Sequence, residues 1–163
     1  MTKLVRTVAQ LRELVGQELG VSPWIEITQE LVNAFADLTG DDQYIHVDPQ
    51  RAAATMFGGT VAHGYLTLSL VPALARQREG VRLALGERMT VNYGLNRVRF
   101  PGPVRVGARI RLCTTLLNVE EVEPGADPDG RPRAVQLTYL QTIEVEGAER
   151  PGLVAECLTR LYF

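Results

Sequence analysis

Asp41 and His46 are the side chains of this sequence best suited to acid/base chemistry, five positions apart in Thr39-Gly40-Asp41-Asp42-Gln43-Tyr44-Ile45-His46-Val47-Asp48-Pro49. A carboxyl and an imidazole held together can take a proton from water and deliver one to a substrate. The element before them must set their position. Leu31, Phe35 and Leu38 recur at helical spacing between Gln29 and Thr39, Thr28 suits an N-cap, and Gly40 suits the helix end. Asp41 then sits at the negative end of a helix dipole beside the like charge of Asp42, and both effects oppose its ionisation. Taken alone, Asp41, Asp42 and Gln43 read first as turn formers, Asp48-Pro49 as a second turn, and His46 as a partly buried core residue.

The balance shifts with the nearly uncharged run from Thr60 to Val71, which reads as a buried helix with Gly64 near its start. Backbone N–H groups at His63-Gly64 are then unpaired donors at a helix start, where a developing oxyanion is stabilised. His63 itself, inside the apolar run, reads as a packed, hydrogen-bonded core histidine. Asp41, His46 and Asp48 bring no second histidine at ligand spacing, so no metal site is expected. Gly58-Gly59 with Gly64 does not make the dinucleotide fingerprint, no phosphate-binding loop is present, and Ser69 lacks a nucleophile-elbow context. Arg97, Arg99, Arg105, Arg109 and Arg111 concentrate positive charge on strand-like sequence. Such residues usually form a solvated sheet face, and a few at a cleft mouth could hold phosphates.

The frame that carries these residues reads as one domain over 1–163, with 45% apolar and 22% charged residues and a net charge of −2. Interspersed charges exclude a nucleic-acid footprint or a polybasic membrane surface. Cys113 and Cys157, in apolar strand-like surroundings, read as buried thiols in a reducing cytoplasm. Met1 to Arg6 has no apolar segment behind it, so no secretion signal is expected, and the uncharged stretch from Phe57 to Ala75 is a poor membrane span.

Val8, Leu11, Leu14 and Val15 predict a peripheral amphipathic N-terminal helix within residues 1–20, ending at Gly20. Trp24 to Ile27 is a short strand, the helix from Gln29 follows, and Arg51 to Ala54 is a small-residue turn. A long central helix is expected from about Val61 to Ala75, kinked by Pro72. Beyond Gly80 the pattern becomes period two, giving strands at 88–93, 96–100, 108–122, 134–146 and 154–162. Pro101-Gly102-Pro103 and the stretch from Pro124 to Gly130 are turns between them. The fold class is α+β, with an antiparallel sheet of about five or six strands around one uncharged helix.

Gly40 to Pro49, Phe57-Gly58-Gly59-Thr60-Val61-Ala62-His63-Gly64 and Val98 to Gly107 together resemble the MaoC-like dehydratases, the (R)-specific enoyl-CoA hydratases of the hotdog fold. The likeness runs from about Trp24 to the C-terminus. It implies a hotdog sheet wrapped around the uncharged helix, a homodimer, a hydro-lyase acting on acyl-CoA in fatty acid metabolism, and no metal or redox cofactor. By the same resemblance Asp41 and His46 are the hydration dyad and Gly64 supplies an oxyanion N–H. Where the family often has Asn-Pro, this chain has Gln43-Tyr44, so Gln43 offers an amide and Tyr44 reshapes the pocket or its entrance. Arg97, Arg99 and Arg105 are candidates for the phosphates of coenzyme A, the substrate's carrier. A hotdog thioesterase and a non-catalytic acyl-CoA-binding dimer are the competing readings.

Overall fold

The computed structural model describes residues 3–126, 128, 130 and 132–163. In chain order the elements are β1 (Lys3–Val5), α1 (Val8–Arg12), β2 (Glu18–Val21), β3 (Ile25–Glu26), α2 (Gln29–Thr39), α3 (Tyr44–Val47), α4 (Pro49–Ala53), α5 (Gly64–Ser69), α6 (Val71–Gln77), β4 (Glu79–Leu83), β5 (Met89–Arg99), β6 (Arg109–Ala126), β7 (Pro132–Val145) and β8 (Leu153–Tyr162). One eight-stranded sheet runs in the order β1-β4-β2-β6-β7-β8-β5, with β3 paired to β6 off that path. Among the described residues, only β1 and β4 pair in parallel. The strand alternation read from the sequence holds along β7, whose inward side chains from Val135 to Val145 are buried at every second position.

The sheet exceeds the expected five or six strands because the N-terminal segment and residues 79–83 also pair. Only Val8–Arg12 of the expected N-terminal helix is helical. Gly16, at φ 84°, turns the chain, and the close approach of β2 to β4 requires a glycine at position 20: a Cβ there would lie 1.7 Å from the Glu79 carbonyl oxygen. The segment is not peripheral either. Val5, Leu11, Leu14 and Leu19 are buried in one core cluster with Leu116, Leu137 and Phe163.

A second cluster joins the helices to the sheet: Leu66, Val71 and Leu74 pack against Ile110, Leu112, Ile143 and Leu153. The central helix begins at Gly64 and not at Val61, which instead makes a bridge to Arg105. It breaks at Leu70, because Pro72 has no N–H to continue the ladder and occupies the first turn of α6. Its outer side is open, with Tyr65 70% exposed. Residues 88–93 and 96–100, expected as two strands, are one strand, β5, carried through Gly94 by irregular register against β8.

Residues Arg51 to Ala54, expected as a turn, end α4, in which Pro49 sits in the first turn and the Asp48 carboxylate caps by accepting from the Arg51 N–H at 3.0 Å. Of the expected turn from Pro124 to Gly130, Asp127 and Asp129 lie outside the described residues, while β6 extends to Ala126.

Candidate active site

α2 forms where the sequence places it. The Thr28 hydroxyl accepts from the Leu31 N–H, and Gly40 ends the helix at φ 75° with its N–H donating to the Ala36 carbonyl. Val32 and Ala36 are its buried residues and Leu38 is 84% exposed, so the apolar face is rotated from the expected stripe. Immediately beyond Gly40, the chain presents Asp41 with an exposed side chain.

His46 lies on the single turn of α3, 8% exposed. Its Nδ1 is 2.6 Å from the Val61 carbonyl oxygen, which can only accept, so Nδ1 carries the proton and Nε2 is left as the basic atom. Burial pushes the His46 pKa down; the Val61 bond opposes this, neighbouring His63 adds to it, and the charge of Asp41 opposes it. The histidine is therefore neutral, and able to accept a proton, at neutral pH. Its backbone is clamped too. Gln29 Nε2 donates to the His46 carbonyl at 2.7 Å, and the Thr60 hydroxyl donates to Gln29 Oε1 at 2.6 Å.

His63, just before α5, is 2% exposed and lies between Phe35 and His46, with the two imidazoles stacked at 3.8 Å and 27°. Its Nε2 donates to the Asp41 main-chain carbonyl at 2.8 Å. A ligand-type atom from each of Asp41, His46 and His63 lies within 4.8 Å of the others. The expectation of a packed, hydrogen-bonded histidine is met. The absence of a second nearby histidine is corrected, since the fold brings His63 beside His46 across a sequence gap that spacing rules do not span. This trio could approach a metal ion. Each imidazole gives one nitrogen to a main-chain carbonyl and keeps the other free, an arrangement that serves proton transfer and is also the one metal-bound histidines show. Asp48, the capping residue of α4, stands outside the trio.

Gly64 opens α5, where first-turn N–H groups have no intrahelical acceptor. A Cβ at position 64 would come within 2.8 Å of the Phe100 ring, so any larger residue must displace that ring or the helix start. Gln43 occupies the N-cap position of α3 without a side-chain hydrogen bond and is exposed. Tyr44 turns its ring under the Arg51 guanidinium at 4.3 Å.

The arginines separate. Arg109 is paired with Glu146, and Arg111 with Glu144 at 2.7 Å while its guanidinium covers Trp24 at 4.6 Å. These are the solvated sheet face. Arg97 faces Glu156 at 4.0 Å, and Arg99 donates to the adjacent Val98 carbonyl at 2.7 Å. Arg105 is exposed and has no ion pair among the described residues. Its bridge to Val61, next to Val104, whose carbonyl accepts from Ala62 N–H at 2.7 Å, places it beside the dyad segment.

A cavity of about 810 Å³ lies farther along the helix pair, between Leu68, Pro72 and Ala75 on one side and Leu95, Tyr139 and Cys157 on the other. It does not reach Asp41, His46 or Gly64. Burial pushes the thiols of Cys113 and Cys157 up to about 11, so both stay protonated. Sequence reasoning missed Gln29, Thr60 and Phe100, whose roles are tertiary contacts with no local signal.

The model of the MaoC like domain matches residues 10–128. The chain belongs to the MaoC-like dehydratase family. It is 49% identical over 154 residues, 94% of this chain and 95% of the relative, to 3-hydroxyacyl-thioester dehydratase Z of Mycobacterium tuberculosis. A crystal structure titled as monoamine oxidase regulatory protein from Archaeoglobus fulgius superposes with a TM-score of 0.76 at 20% identity, covering 99% of this chain and 97% of that one. The (R)-hydratase from A. caviae involved in PHA biosynthesis gives 0.64 at 24%, covering 87% and 95%. The fold of this MaoC-like chain is the hotdog fold, with a sheet packed on a short central helix pair.

Proposed function

We propose that this MaoC-like hydro-lyase adds water to a trans-2-enoyl-CoA to give the (R)-3-hydroxyacyl-CoA, with Asp41 and His46 binding one water between them. The observation that carries the reading is the bare Nε2 of a neutral, buried His46 beside Asp41. Hydration needs a proton taken from water, one delivered to C2, and stabilisation of enolate-like charge on the thioester oxygen. The pair supplies the proton path as one coupled unit. The Gly64 N–H meets the thioester oxygen, with Gln43 and Tyr44 at the entrance. As the dyad takes a proton from the water, its oxygen bonds to C3, the C2–C3 π pair moves toward the thioester, and C2 then takes a proton; no net oxidation occurs, so on this reading the dyad works without a metal or redox cofactor.

The acyl chain follows the helix. Gly64 to Ser69 spans about 7.5 Å along the axis, which brings a chain of several carbons to the cavity at Leu68 and Ala75. Arg105, with Arg97 and Arg99 on the preceding strand β5, takes coenzyme A phosphates. β5 is an edge strand of the sheet and carries exposed Met89, Tyr93 and Leu95; pairing with a second copy there would cover it and close the cavity at Gly94 and Leu95.

Loss of enoyl absorbance across a series of trans-2-enoyl-CoA lengths, without added metal and with a parallel assay for free thiol, tests this. Absorbance loss without thiol is expected. Thiol release would make the protein a thioesterase, no turnover a binding dimer, and activity abolished by chelator and restored by zinc a metalloenzyme.

A further inference from the structure

We propose that His63 is a positioning residue of this site: its Nε2–H holds the Asp41 carbonyl so that the Asp41 carboxyl and His46 address the same water. The proposal rests on the hydratase reading and goes beyond it, since His63 touches no reacting atom.

The loop that carries Asp41 is thinly held. Gly40 N–H donates to Ala36 within α2, and the Asp41 N–H reaches Thr39 Oγ1 only at 3.4 Å. Among the described residues, the one hydrogen bond from a distant part of the chain onto Asp41 is that from His63, 22 positions away, at 2.8 Å. Its geometry fixes the chemistry of the ring. A carbonyl cannot donate, so Nε2 bears the proton, and Nδ1 is a buried lone pair without a partner. A proton on Nδ1 would be a buried donor without an acceptor. His63 therefore acts as a donor through Nε2, suited to holding the Asp41 carbonyl.

The segment from Val61 to His63 consequently fixes both members of the dyad. The Val61 carbonyl accepts from His46 Nδ1 at 2.6 Å, and His63 binds the Asp41 carbonyl at 2.8 Å. Losing the second tie leaves His46 in place and lets the carboxyl drift. Misplacement by about 1 Å can cost on the order of 100-fold in rate.

His63→Leu fills the space without a donor, whereas His63→Gln keeps an N–H that can reach the same carbonyl. For His63→Leu we expect turnover on crotonyl-CoA to fall roughly 10- to 100-fold with little change in KM. His63→Gln should recover most of the loss. Adding His63→Leu to Asp41→Asn should cost little beyond Asp41→Asn alone, because one acts through the other. Nitrogen-15 NMR of the wild-type imidazoles at neutral pH should show His63 as the Nε2–H tautomer, a readout that does not depend on the Leu variant folding. Wild-type turnover in His63→Leu, a KM rise that accounts for its loss, no rescue by Gln, additive losses with Asp41→Asn, or a His63 protonated only on Nδ1 would each overturn the proposal. A wild type that hydrates no enoyl thioester would instead sink the hydratase reading, and the tautomer would still decide the Asp41–His63 bond.

Discussion

The polar groups around His46 and the charged groups on the β6–β7 face are built on opposite plans. Around the dyad, buried His46 and His63 and half-buried Gln29 each bond to main-chain carbonyls, so their geometry is set by the backbone. On the β6–β7 face, Arg109 and Arg111 pair with carboxylates directly across the strands and stay largely in water. Buried side chains tied to the backbone hold one arrangement suited to chemistry; exposed ion pairs hold little and contribute little. Charge density read along the sequence therefore does not separate the arginines paired across the β6–β7 strands from the others, and a nearly uncharged segment marks the candidate site.

The largest consequence falls on His46. His46→Gln should lower hydration about 10²–10⁴-fold while leaving the fold intact. In the wild type, folding lowers the His46 pKa from an unfolded value near 6.5. The folded state thus binds fewer protons between the two values, so this residue's contribution to stability is complete above about pH 6.5 and is lost as pH falls through the folded pKa. The acid limb of kcat/KM should likewise lie below that of an ordinary histidine. A limb above pH 7 in a pH–rate profile would contradict the burial argument.

Gly64→Ala comes next. A Cβ forced against the Phe100 ring must move the ring or the helix start, so we expect a large loss of turnover and a lowered melting temperature, with Phe100→Ala in the same chain restoring the melting temperature. A Gly64→Ala variant with unchanged melting and turnover would remove the close approach from the account. The smallest effects distinguish the arginines. Arg105→Ala should raise KM several-fold with kcat nearly unchanged, Arg99→Ala and Arg97→Ala less so, and Arg111→Ala should alter neither kinetic constant. A KM effect confined to Arg111→Ala would invert the comparison.

Local signals in the sequence were enough for α2, because Thr28 and Gly40 act on their own neighbours, and for the Asp41/His46 spacing, which a short loop preserves. The N-terminal segment defeated the same logic. Val8, Leu11 and Leu14 do fall on one side, but Gly16 and Gly20 turn and flatten the chain so that Leu19 reaches the core from a strand. The helix expected from Val61 starts later because Ala62 N–H donates to Val104, the Thr60 carbonyl accepts from Val106 and Val61 N–H donates to Ile45, none of them a helical partner. Nothing near His63 in the sequence points to Asp41. That contact exists only once the loop after α2 packs onto the residue that precedes α5, so His63 reads as core packing until the tertiary structure is known.

Adjacent aspartates provide the most direct test of the central claim, since Asp41 and Asp42 carry the same charge on the same loop and only Asp41 lies within reach of His46 and His63 in the trio. Crotonyl-CoA turnover should be measured for Asp41→Asn and Asp42→Asn, each with a thermal melt. The account predicts that Asp41→Asn loses about 10²–10⁴-fold in turnover while Asp42→Asn stays near wild type, both with unchanged melting. Equal losses in the two variants, or near-normal turnover in Asp41→Asn, would contradict it.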